Sequence, residues 1–86
     1  MLRIDSVNRA VREQHPTFEL VRANPEDAYF YFVDTAHPGE SHSVYTPRLN
    51  DLPLSMWLEE AGWFAQLLAD IDRSRELLNV DWTVEQ

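Results

Sequence analysis

The chain has 86 residues, 44% of them apolar and ten of them aromatic, which is enough to build one small hydrophobic core, so a single domain is expected over this sequence. It contains no cysteine, so disulfide scaffolds, thiolate metal sites and cysteine nucleophiles are excluded, and a reducing cytosol is the expected compartment. Fifteen acids against seven bases, every base an arginine, give a net charge of -8, a field that repels nucleic acid and anionic membranes.

Charge is distributed unevenly. Residues 1–50 carry seven acids and five arginines, whereas residues 51–86 carry eight acids and two arginines, a net of -6. The chain has no apolar run of the length that spans a bilayer, and Met1-Leu2-Arg3-Ile4-Asp5 lacks the apolar stretch of a secretory signal. Membrane insertion and export are therefore not expected.

In chain order, residues 4–14 place Ile4, Val7, Ala10 and Val11 at helical spacing, and His15-Pro16 ends that helix because the residue before proline is biased away from helical geometry. Residues 17–23 alternate, with Phe18 and Leu20 on one side and Glu19 and Val21 on the other. Asn24-Pro25-Glu26-Asp27 then supplies turn chemistry for a hairpin. Residues 28–34, Ala-Tyr-Phe-Tyr-Phe-Val-Asp, form the strongest strand signal and belong at the centre of a sheet. Thr35 to Glu40 is a loop. Residues 41–48 form a third strand, in which Pro47 cannot donate a ladder hydrogen bond, so that strand lies at an edge or stops near the proline.

A long helix begins near Pro53, with Asp51 a plausible cap. At about 100° per residue, Leu54, Trp57, Leu58, Ala61, Phe64, Ala65, Leu68 and Ile71 share one broad stripe. Arg75 falls in the middle of the same stripe. The helix is accordingly expected over 53–72, breaking, bending or leaving the core near Asp72 to Ser74, with a further turn over 74–79 and a tail over 80–86. The expected fold is a single α+β domain: a short N-terminal helix, a three-stranded antiparallel sheet and a long C-terminal helix on one sheet face.

Ser43-Val44-Tyr45, Arg48-Leu49-Asn50-Asp51-Leu52 and Met56-Trp57-Leu58-Glu59-Glu60 follow one another in a pattern that resembles small uncharacterised proteins of bacteriophages and prophages of proteobacteria. Val7-Asn8, Glu19-Leu20-Val21-Arg22 and Tyr29-Phe30-Tyr31-Phe32 look like the same group, so the resemblance extends over roughly residues 4–60. It implies a phage-type accessory protein acting in the host cytoplasm and assigns no catalytic residue. The chain departs from the pattern at Pro47 and in its longer acidic helix beyond Glu60.

Met56, Trp63 and Leu67 cluster about 120° from the centre of the core stripe, flanked by Glu59, Glu60 and Asp70. An apolar patch rimmed by charge has the composition of a partner surface. The same residues equally suit a helix buried on two sides, with Trp63 packed on Val80 and Trp82. The acidic row Glu59, Glu60, Asp70, Asp72, Glu76, Asp81 and Glu85 matches either a DNA-mimicking surface or a solvated helix face. Tyr29, Tyr31 and Tyr45 share a sheet face, which without lysine suits a dimer contact better than stacked bases.

Catalysis has little support. His37, His42, Asp34 and Glu40 lack a recognised metal-ligand spacing, and Ser41, Ser43, His42 and Asp34 have the residue types of a triad without a nucleophile-elbow motif. No enzyme activity, metal or cofactor is expected. The leading expectation is an acidic inhibitor of a host protein, for example of a CRISPR effector or another nucleic-acid-handling complex, bound through Met56, Glu59, Glu60, Trp63, Leu67 and Asp70. The alternative is a structural or homo-oligomerising protein with no host target.

Overall fold

The computed structural model describes residues 1–23 and 29–85, with side chains through Leu77. The elements run α1 (Ile4–Gln14), β1 (Phe18–Arg22), β2 (Phe30–Asp34), β3 (Ser41–Val44), a 3₁₀ turn (Leu49–Asp51) and α2 (Leu54–Glu85). This is the expected α+β order. The strands form one antiparallel sheet, β1-β2-β3, with the aromatic strand at its centre. Register places Leu20 opposite Phe32, and Phe30 opposite Val44, so the apolar positions of all three strands fall on one face. The turn sequence 24–27 and the start of the second strand lie outside the described residues.

β3 stops at Val44, three residues before Pro47. A backbone bond from Thr46 N–H to Val44 C=O turns the chain out of the sheet. Gly39, at φ 92°, supplies the left-handed residue in the β2–β3 loop, a conformation that a β-carbon disfavours.

Both helices cover the same sheet face. Phe18, Leu20, Phe30, Phe32 and Val44 meet Val7 and Val11 of α1 and Trp57, Ala61, Phe64 and Leu68 of α2 in one core. Trp57 is its centre. Its ring meets Phe30 edge-on at 5.3 Å, and its buried indole N–H donates to Leu49 C=O at 2.9 Å. That bond ties the 3₁₀ turn to the first turns of α2.

Asp51 serves this corner in a way that differs from the expected helix cap. Its carboxylate accepts from the Thr46 hydroxyl and from Arg48 N–H, closing the 3₁₀ turn three residues before α2 starts.

The expected end of the long helix also needs correction. α2 continues through Asp72 to Ser74 and on to Glu85, with no separate turn or tail over 74–85. Residues 72–77 are all exposed, so Arg75 sits where the core stripe would continue but no core lies opposite. Of breaking, bending and leaving the core, the helix takes the third. Local bonding carries it onward, since Arg, Glu and Leu are good helix formers.

The opposite sheet face carries no helix among the described elements. Val21, Tyr29, Tyr31 and Val33 are half-buried there, and Tyr45 is 83% exposed. Tyr29 packs against Tyr31 and Tyr45 with ring centroids 6.2 and 5.6 Å away.

Candidate functional site

Helical geometry fixes what α2 shows to solvent. With Trp57, Ala61, Phe64 and Leu68 turned inward, a side about 120° round the helix exposes Met56, Trp63, Leu67 and Leu77. Residues 56, 63 and 77 are separated by whole heptads and Leu67 follows Trp63 by four, so the four lie on one seam. Trp63 is 63% exposed. It forms one wall of a shallow depression with Glu59, Gly62 and Gln66.

The rim is acidic. Glu59, Asp70 and Glu76 are exposed. Asp70 accepts from the Gln66 amide at 3.2 Å and lies 3.8 Å from the Arg73 guanidinium, an exposed arrangement of small energetic weight. Asp70 and Ser74 interrupt the apolar seam between Leu67 and Leu77.

Glu60 has another role. It is half-buried, and its carboxylate lies 2.7 Å from His42 Nε2, while the His42 ring stacks over Phe64. Glu60 therefore fastens β3 to α2, and the exposed rim consists of its neighbours. The expected packing of Trp63 on Val80 and Trp82 concerns side chains outside the described residues. An uninterrupted helix carries the backbone of residue 80 about 25 Å along the axis from residue 63.

A second fastening joins the β2–β3 loop to α2. His37 Nδ1 lies 2.7 Å from Asp34 Oδ2, and His37 Nε2 lies 2.9 Å from Asp72 Oδ2. Acceptors at both ring nitrogens, Asp72 foremost and then Asp34, raise the His37 pKa above its ordinary 6.5. Burial pushes the Asp34 carboxyl up. Donation from the Thr17 hydroxyl, Ala36 N–H and His37 outweighs that and holds it below its ordinary 3.8.

These pairings decide how the catalytic residue types are arranged. Asp34 engages His37 and His42 engages Glu60, so the triad types do not come together in one place. Both nitrogens of His37 are occupied by carboxylates, which leaves neither to draw a proton from a substrate. Among the described residues, no group of three or more side chains is arranged to hold a metal ion. No described helix is long and apolar enough to cross a membrane.

One buried polar contact had no periodic signal in the sequence. Asn8 is buried, accepts from Leu20 N–H at 2.6 Å and donates to Leu20 C=O at 3.1 Å. Its amide satisfies the outward backbone groups of edge strand β1 much as another strand would.

Comparison of the chain with protein families, curated proteins and solved structures gives no match. The functional reading is therefore built from the chain's own residues.

Proposed function

We propose that this protein is a binding module that captures a basic, amphipathic helix of a partner protein along the outer seam of α2. The observation that carries the proposal is the alignment of Met56, Trp63, Leu67 and Leu77 as exposed residues on one side of a helix whose other side already supplies the core. Heptad spacing suits a helix as occupant, since knobs from a second helix enter holes repeated every seven residues. Flanking acids select its charge: residues 51–86 have a net of -6, so a second copy of this chain meets like charge and a lysine- or arginine-rich helix meets its complement.

In its finer form, the partner is a host protein that handles nucleic acid, and occupation of its basic surface inhibits it. The acidity of residues 51–86 supports that form.

The test is capture by the immobilised protein at low and high salt. Basic proteins are retained at low salt and released as screening shortens the reach of the acids. The Trp63→Ser/Leu67→Ser variant, with unchanged circular dichroism, retains none of them. Equal retention by that variant would overturn the proposal. The homo-oligomer reading draws on the uncovered tyrosine face. Sedimentation equilibrium showing a dimer that Tyr31→Ser dissociates and Trp63→Ser does not would favour it.

A further inference from the structure

Three of the seven arginines line one concavity at the end of the molecule where α1 and the 3₁₀ turn begin. Arg3 arrives from the segment before α1, Arg22 from the end of β1 and Arg48 from the corner after β3. The concavity measures about 520 Å³, the size of a small organic ligand, and its described lining contains no acid. In a chain of net charge -8 this is a local reversal of sign. Among the described residues, no carboxylate forms an ion pair with any of the three guanidinium groups.

The neighbouring geometry constrains the Arg22 side chain and the backbone beside Arg3 and Arg48. The Arg22 guanidinium carbon sits 4.7 Å from the centroid of the Phe30 ring, a cation–π contact that limits where the side chain can go. Asn50 accepts from Leu2 N–H at 2.8 Å and donates to Leu2 C=O at 3.3 Å, pinning the backbone beside Arg3. Asp51, the acid nearest Arg48 in sequence, directs its carboxylate to the Thr46 hydroxyl and the Arg48 backbone N–H. Arg3 occupies the N-cap position of α1 without a side-chain cap.

We propose that the Arg3–Arg22–Arg48 concavity binds a small organophosphate, its phosphoryl group held by the three guanidinium groups and its apolar body against Leu2 and Leu49. A doubly charged oxyanion with several acceptor atoms suits a concavity lined by three guanidinium groups. The apolar wall selects an ester over the free anion. The site is separate from the outer seam of α2, and its occupancy does not depend on the binding function proposed above.

Titration of ¹⁵N-labelled protein with phenyl phosphate tests it. Saturable shifts are expected at the Leu2 amide and at the side-chain N–H signals of Arg3, Arg22 and Arg48. Arg22→Gln and Arg48→Gln each weaken binding about tenfold, the scale of one charge-assisted contact, whereas Arg9→Gln on α1 leaves it unchanged. Absence of saturation at roughly 20 mM ligand, beyond the millimolar range of the weakest specific binding, overturns the proposal. Equal weakening by Arg9→Gln also overturns it, since that marks a diffuse charge effect. Inorganic phosphate binding as tightly as phenyl phosphate overturns the assignment of an apolar body.

Discussion

From Leu54 to Ile71, α2 lies on the sheet, with Trp57, Ala61, Phe64 and Leu68 buried and Leu54, Leu58, Ala65 and Ile71 packed around them. From Asp72 to Leu77 the same helix has every side chain exposed. Hydrogen bonding is continuous across the boundary, and burial is not. Helix continuation is decided residue by residue through i to i−4 bonds and propensity. Burial needs a surface opposite, and the sheet and α1 end before the helix does. His37 and Asp72 mark the boundary, where the β2–β3 loop makes its side-chain hydrogen bonds to α2.

The difference can be broken most severely in the seated half. Trp57→Ala removes the ring at the core centre and leaves Leu49 C=O without its buried donor, a loss of about 3–5 kcal/mol in denaturant titrations. Trp57→Phe keeps most of the packing and isolates the hydrogen bond, so it costs less. Next in size, Asn8→Ala leaves both outward backbone groups of Leu20 without their partner, at about 1–3 kcal/mol, and amide exchange at Leu20 accelerates.

The boundary itself is tested by pH. The raised pKa of His37 means that its contribution is complete below the ordinary imidazole value of 6.5 and is lost as pH rises through the folded-state value. The lowered pKa of Asp34 means that its contribution is present above the ordinary carboxylate value of 3.8 and is lost as pH falls through the folded-state value. Both act together between roughly pH 4 and 6.5, and melting curves are expected to be flattest there. His37→Gln removes the part of the alkaline decline that belongs to this residue. An identical alkaline profile in that variant would detach His37 from the seating of α2.

The smallest effects belong to the exposed half. Ser74→Pro lowers helical ellipticity by interrupting the helix beyond the core, yet shifts the thermal midpoint little, because residues 72–77 are exposed. Arg75→Ala changes stability by less than about 0.5 kcal/mol. A large drop in midpoint for either variant would make the far end of α2 part of the cooperative unit.

Much of this fold is legible in the residue pattern. Period-two alternation located Phe18, Leu20, Phe30, Phe32 and Val44 on the core face, and the helical wheel assigned Trp57, Phe64 and Leu68. The wheel also set Met56, Trp63 and Leu67 apart from the core stripe but left open whether they are exposed or packed on a second surface, which the structure answers with exposure. Arg75 misled because a wheel reports direction around an axis and carries no information on how far the opposing surface extends. The pairings His37–Asp72 and His42–Glu60 join residues 35 and 18 apart, beyond any local spacing rule. The arginine concavity escaped for the same reason: its members arrive from three separate segments.

Asn8 has a consequence for how molecules of this protein meet at high concentration. A three-stranded sheet has two margins at which a foreign strand can add and seed a growing β-assembly. At the β1 margin, the outward N–H and C=O of Leu20 are already occupied by the Asn8 amide. At the β3 margin the strand is four residues long and the chain turns away at Thr46 just before Pro47. Lateral growth thus meets an occupied residue at the centre of one margin and a short strand at the other, so Asn8→Ala should speed fibril formation on agitation as well as lower stability.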